Sequence, residues 1–177
     1  MFIGRSLQCL FPFLLLVVGL NFAVADEPVA QAVRDQRLPT AAEARQQAEV
    51  LHESLQATLQ AVHHHYYVDD EGLAIPAAAL KDVFRRLERD RKLEIRWLVV
   101  NAQAMNVDHE SKTVFEKAAV KALAAGQDHV EQTDGGFYRH VGPIVLQSEC
   151  LKCHLPTRRS NKDRLAGLLI AIPVTMD

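Results

Sequence analysis

The fold and chemistry open to this chain are limited above all by a pentapeptide near its end. Its sequence is Cys150-Leu151-Lys152-Cys153-His154. Two thiols separated by two residues and followed at once by an imidazole have the spacing of covalent haem attachment. In such a site the thiols of Cys150 and Cys153 are bonded to the haem vinyl groups as thioethers, and His154 is the proximal ligand of the iron. The motif therefore predicts one covalently attached haem c.

A C-x-x-C pair also occurs in structural zinc sites and in dithiol redox centres. A structural zinc site usually needs four Cys or His ligands, and the one further cysteine, Cys9, lies in a segment that we expect to be removed. A redox pair normally opens a helix behind a strand of a βαβ unit, and no βαβ pattern precedes Cys150. The context favours the interpretation that this motif attaches haem. Dithiol redox chemistry and metal binding stay as alternatives.

The first 25 residues have the pattern of a cleaved signal peptide. They contain one charge, Arg5, then an apolar run over residues 10–18, and they end in Ala23-Val24-Ala25. The apolar run is shorter than the roughly 20 residues of a spanning helix, although an uncleaved anchor is the alternative. We therefore predict a signal peptide at 1–25, a linker at 26–39 and a single domain at 40–177, exported to the periplasm, where c-type haem is attached.

The charge balance excludes some partner classes. The chain has 20 basic and 22 acidic residues, a net charge of −2. Nothing in this balance indicates a nucleic acid or an anionic membrane surface as partner. After signal cleavage we expect no membrane association.

The residues after Pro39 have a helical period. Thr40 and Glu43 are spaced as a capping box, and apolar residues then recur at intervals of three and four up to Val62. If this helix continues to Tyr66, His63 and His65 lie on opposite borders of its apolar stripe and His64 points away. The sequence thus predicts one long helix that offers His63 or His65 to whatever its inner face covers.

Further elements follow from the same kind of pattern. Pro76 can start a second helix, residues 93–100 read as a strand, and a polar loop then contains Met105 and His109, both able to ligate haem iron. Ser111 can cap a third helix that Gly126 ends. The apolar faces predicted for these two helices are Leu80, Val83, Phe84 and Leu87, and Val114, Phe115, Ala118, Ala122 and Leu123.

The last third of the chain reads as strands. The residues around Asp134-Gly135-Gly136 predict an antiparallel hairpin, and residues 166–174 predict a buried closing strand. The haem motif would then lie between the last two strands.

This order of elements resembles a family of small exported c-haem domains with a PAS-like fold. The resemblance covers about residues 45–177 and rests on Phe115-Glu116 through Gly126, the Gly135-Gly136 hairpin, the C-x-x-C-H motif and Ala166-Gly167. It implies an α+β fold with a PAS-like antiparallel sheet, a long N-terminal helix reaching the distal side of the haem, and haem attachment between the last two strands. Members of the family stand alone or form the sensory part of receptors.

Two departures from the family pattern concern the haem pocket. The loop that typically holds an Arg-Asn-Pro-like run is here residues 104–109, and Leu155 replaces a glycine often found after the motif histidine. We predict that His63 is the second axial ligand opposite His154, with His64, His65, Met105, His109 or no protein ligand as the alternatives.

The haem motif leads to two main functional hypotheses. One is a haem-based redox or gas-sensing module that binds a diatomic gas or responds to the state of the iron, with a separate signalling partner. The other is a simple electron carrier that meets a redox partner protein. A haem peroxidase would need a distal acid or base beside an open iron position, and no catalytic constellation stands out, so an enzyme is not favoured.

Overall fold

The computed structural model describes residues 37–66, 74–102, 106–154 and 160–176. The predicted signal peptide and most of the predicted linker lie outside these ranges. The elements, in chain order, are α1 (Ala41–Tyr66), α2 (Pro76–Arg91), β1 (Glu94–Val99), a 3-10 turn (Val107–His109), α3 (Val114–Ala124), β2 (Val130–Asp134), β3 (Phe137–Leu146), α4 (Ser148–His154) and β4 (Arg164–Pro173).

Helix α1 begins where the sequence predicts. The Thr40 hydroxyl accepts the backbone N–H of Glu43 at 3.3 Å, and the Thr40 N–H donates to the Glu43 carboxylate at 2.8 Å. This reciprocal pair satisfies two N–H groups that a helix start leaves without an intrahelical acceptor. Along the predicted stripe Ala44, Ala48 and Leu55 are buried. Within the described ranges, no helix has both the length and the apolar character needed to cross a membrane.

The four strands described form one antiparallel sheet in the order β1-β4-β3-β2. The predicted hairpin is confirmed: Asp134 pairs with Phe137, so the loop has two residues, Gly135 and Gly136. Both glycines have positive φ, 54° and 76°, as a type I′ turn requires. The closing strand β4 pairs with β1 on one edge and β3 on the other, so it is one of the two inner strands. The α+β class with an antiparallel sheet and a long first helix is confirmed.

Helices cover both faces of this sheet, and β4 alternates between two cores. Leu168, Ile170 and Ile172 belong to the larger core, which includes residues of α1 and α2. Leu169 belongs to the smaller core beneath α3, with Leu123. Burial on both faces explains why β4 reads in sequence as an almost continuous apolar run.

Helix α3 begins two residues later than Ser111 would place it. Thr113 is the cap: its hydroxyl accepts the Glu116 N–H at 3.1 Å, and Glu116 accepts the Thr113 N–H at 2.9 Å. A capping box needs Glu or Gln three residues after the cap, a condition that Thr113 meets and Ser111 does not. The prediction that Val114 and Ala118 face the core is wrong, because both are exposed. The buried positions of α3 are Glu116, Ala119 and Leu123.

Helix α2 confirms the predicted start but corrects one residue of its face. Pro76 occupies the first turn, where its missing N–H is not needed. Phe84 is buried against Trp97, with ring centroids 5.0 Å apart. Val83, predicted on the same face, is 42% exposed, because the side of α2 that meets β1 is centred on Phe84.

Candidate functional site

The pentapeptide lies in α4, within the connection between β3 and β4. Leu151 is fully buried, and Cys150 is half-buried against the larger core. Residues spaced at three and four share one face of a helix, so positions 150, 153 and 154 lie on one side of α4. The side chains of Cys153 and His154 are outside the described part. The predicted place of the motif is confirmed, whereas its helical conformation was not predicted.

A cavity of about 270 Å³, partly open to solvent, adjoins this helix. Its volume is close to the lower end of typical ligand pockets, roughly 300–1,000 Å³. Side chains from α1, α2, the 3-10 turn, the end of β3 and α4 all reach it. The described residues that line it are Leu59, Gln60, His63, Ile75, Ala77, Ala78, Lys81, Asn106, His109, Ile144, Val145, Leu146 and Cys150.

The cavity distinguishes among the predicted distal residues. His63 is half-buried and lines it, together with Cys150. His64 and His65 are exposed and are not among its lining residues. Met105 lies outside the described residues. The cavity also holds His109, so the structure brings two of the candidate imidazoles to the same space as the first thiol of the motif.

The position of α1 on the sheet depends on a buried histidine that sequence reasoning missed. The His52 imidazole packs directly on Gly142 of β3, where an added Cβ would come within 2.4 Å of its Cε1 atom. The His52 Nε2–H donates to the Pro143 carbonyl oxygen at 3.2 Å, because a carbonyl can only accept. His63 follows eleven residues later, three helical turns and roughly 16 Å along the same face. The His52 contact therefore fixes which part of α1 reaches the cavity.

His52 belongs to a small group of imidazoles that lies apart from the cavity. The rings of His52 and His140 meet edge to face at 5.5 Å between centroids, and His129 stacks on His140 at the same distance. Burial is the largest cause that lowers the pKa of His52. Burial and the two neighbouring imidazoles lower the pKa of His140 to about 4. Within the described part of the chain, no group of three or more His, Cys, Asp or Glu side chains is arranged to hold a metal ion.

Comparison with known proteins gives the family. Residues 35–167 match a family model described as Tll0287-like. The chain belongs to the Tll0287-like family. This confirms the resemblance inferred from the residues, and the matched and predicted ranges share residues 45–167. No curated protein sequence matches significantly.

A solved structure supports the same assignment at the level of the fold. The crystal structure of the cyanobacterial haem protein Tll0287 superposes with a TM-score of 0.54 and 15% sequence identity. The match covers 76% of this chain and 98% of that one. At this identity the likeness shows the fold alone, and the chemistry of the site must be argued from the residues of this chain.

The cavity has the composition that a haem requires. Haem presents a broad apolar face, and most of the lining side chains are aliphatic. The groups that can bond to its periphery or its iron are the thiol of Cys150 and the imidazoles of His63 and His109. No carboxylate occurs among the described lining residues, and Lys81 supplies a positive charge suited to a propionate. The residues present therefore fit the group.

Proposed function

We propose that this protein is a periplasmic monohaem c-type cytochrome. Its haem is attached through Cys150 and Cys153, and its iron is ligated by His154 and His63. The observation that carries the proposal is the apolar cavity that brings His63 of α1 to Cys150 of the C-x-x-C-H motif. Membership of the Tll0287-like family and the likeness to the haem protein Tll0287 support haem binding by this chain.

Each part of the cavity has a definite task in this proposal. Helix α4, anchored by the buried Leu151, presents positions 150, 153 and 154 on one face. Each thiol would add its S–H across one haem vinyl group, which requires no change in oxidation state. Leu59, Ile144 and the other aliphatic walls exclude water from the macrocycle, and burial of apolar surface there favours binding. His63 would supply a neutral imidazole nitrogen to the iron.

The position of His63 at the end of α1 supports a sensing function. The imidazole proposed as distal ligand belongs to the last turn of α1, and helix ends open more readily than helix centres. Such a ligand can be displaced by a diatomic gas or exchanged when the iron changes oxidation state. We propose that the protein senses one of these events and acts through a separate signalling partner.

A simple electron carrier is the second candidate, and one observation favours it. The cavity opens to solvent, so that an edge of the haem would be accessible to a redox partner protein. Carbon monoxide distinguishes the two functions. A sensor with a displaceable ligand takes up carbon monoxide readily after reduction, whereas a carrier with firm six-coordination leaves its visible spectrum unchanged.

Cysteine variants test the attachment itself. After co-expression with a cytochrome c maturation system, Cys150→Ala and Cys153→Ala should each keep one thioether, and the double variant should lose all haem on denaturation. Lys152→Ala, an exposed position of the same helix, is the matched control and should retain haem. A double variant that keeps haem on a denaturing gel would contradict the proposed attachment.

A further inference from the structure

His109 lies closer to the proposed chemistry than its place in a polar loop would indicate. It ends the 3-10 turn, is half-buried, and lines the cavity that also holds His63 and Cys150. It borders a neighbouring groove of about 240 Å³ as well, on the side of Arg96. The imidazole is thus between two concave spaces.

The backbone around His109 is held on both sides. The Asn106 side chain accepts the Asp108 N–H at 2.9 Å, and the His109 N–H donates to the Asn106 carbonyl at 2.9 Å. One nitrogen of Arg96, Nη2, donates to the carbonyl oxygens of Asp108 at 2.6 Å and Glu110 at 3.0 Å. The carbonyls of the residues before and after His109 are therefore bonded to the same guanidinium.

Arg96 is fixed in turn by a buried carboxylate. Its Nη1 donates to Glu116 Oε1 at 2.7 Å, and the two side chains are only 19% and 3% exposed. The other oxygen of Glu116 accepts the backbone N–H groups of Lys112 and Thr113. We call this pair the Arg96–Glu116 clamp. It joins the 3-10 turn to β1 and to the start of α3.

A buried ion pair is a costly way to hold a loop, because two charges must leave water. The described exposed pairs, such as Arg86 with Asp90, carry no such cost. The clamp fixes the 3-10 turn that brings the His109 imidazole to the cavity. This placement favours a role for His109 in the pocket over a role as a surface residue.

We propose that His109 is a second distal ligand that competes with His63 for the sixth coordination position of the iron, and that the Arg96–Glu116 clamp positions it. The inference rests on the proposed haem site. The exchange replaces one neutral imidazole nitrogen by another, so charge and oxidation state are unchanged. The iron would then remain six-coordinate when either imidazole is removed, and it would become open only when both are gone.

The test uses the full chain loaded with haem and four proteins: wild type, His63→Ala, His109→Ala and the double variant. Visible spectra of the reduced proteins should be low-spin for the first three and high-spin for the double variant. The double variant should also bind carbon monoxide at least tenfold faster than either single variant. His64→Ala, an exposed neighbour, is the matched control and should behave as wild type.

Three results would overturn the inference. One is a His63→Ala protein already as high-spin as the double variant, which would leave His109 without a role. Another is a His109→Ala protein that is high-spin by itself, since His63 would then not compete. The third is a double variant that stays low-spin, because a different ligand would be present.

The clamp has its own test in the His63→Ala background. Arg96→Lys keeps a positive charge beside Glu116 but loses the planar fork that reaches both carbonyls. We expect it to shift part of the population to high-spin and to speed carbon monoxide binding, whereas Arg86→Lys should not. An unchanged spectrum would refute the positioning role. Wild type without covalent haem would refute the proposed function, whereas haem-loaded protein with the contrary spectra would refute only this inference.

Discussion

At the scale of single residues, a glycine is required at position 142 because the His52 ring packs directly on it. A side chain at this position would meet the His52 ring at 2.4 Å, a distance that forces the helix or the ring to move. We predict that Gly142→Ala lowers the free energy of unfolding by about 1–3 kcal/mol, the usual cost of overpacking a core. Urea unfolding of wild type and variant measures the difference.

The contact itself can be isolated with a double-mutant cycle. In a His52→Ala background the ring is absent, so Gly142→Ala should then cost much less. An equal cost in both backgrounds would show that the glycine is needed for its backbone and not for the imidazole. The cycle therefore tests whether this contact sets the position of α1.

His140 predicts a pH dependence of stability. Its pKa is lowered from 6.5 to about 4 by burial and by the neighbouring His52 and His129, with Glu131 opposing them. The unfolded chain thus binds a proton below pH 6.5 that the folded chain binds only near pH 4. Stability should be full above pH 6.5 and should fall as the pH drops from 6.5 towards 4.

His140→Phe tests this assignment because it removes the titrating imidazole. Among the described residues the buried Nδ1 of His140 has no hydrogen-bond partner, so the substitution breaks no hydrogen bond at that atom. Denaturant midpoints measured between pH 4 and 8 should depend less steeply on pH in this variant. Part of the slope should remain, since the pKa of His52 is also lowered. A slope identical to that of wild type would contradict the role of His140.

The site residues differ in how far the sequence predicts them. Cys150 and His63 could be predicted as candidates because each belongs to a pattern, a ligand spacing in one case and a helical stripe in the other. The role of His52 could not be predicted, because a polar residue beside an apolar stripe is expected to be solvated. Its burial becomes evident only from its contact with Gly142. His109 was left among several alternatives, because its approach to the cavity depends on tertiary bonds from Arg96 and Glu116.

At the scale of elements, the start of α3 gives a direct check of the capping chemistry. We predict that Thr113→Ala lowers the free energy of unfolding by about 1 kcal/mol, because the N–H of Glu116 loses its acceptor. Ser111→Ala, at the position that sequence reasoning favoured, should change it by a few tenths at most. Equal effects at both positions in chemical denaturation would contradict the observed cap.

The elements themselves were largely predictable, for physical reasons. Local chemistry determines four of these features: the starts of the helices at Thr40 and Pro76, the Gly135-Gly136 turn and the apolar run of β4. The face of α3 was not predicted, because its buried side includes the charged Glu116. The Glu116 carboxylate can be buried because it pairs with the guanidinium of Arg96, which is distant in sequence.

At the scale of the whole molecule, the candidate site depends on packing between distant parts of the chain. α1, the 3-10 turn and α4 are brought to one cavity by a sheet in which β4, the last described strand, is one of the two inner strands. Local patterns cannot show this arrangement, and the family resemblance implies only that the long helix α1 reaches the haem site. The consequence is that the cavity should form only when β4 has joined the sheet.

Covalent attachment of haem to this chain can be tested with a single spectrum. The chain should be co-expressed with a cytochrome c maturation system, denatured, and its pyridine haemochrome spectrum recorded. We expect one haem per chain that stays with the polypeptide, with an absorption maximum typical of two thioether bonds. Loss of all haem on denaturation would contradict covalent attachment at Cys150 and Cys153 and would return the C-x-x-C pair to dithiol or metal chemistry.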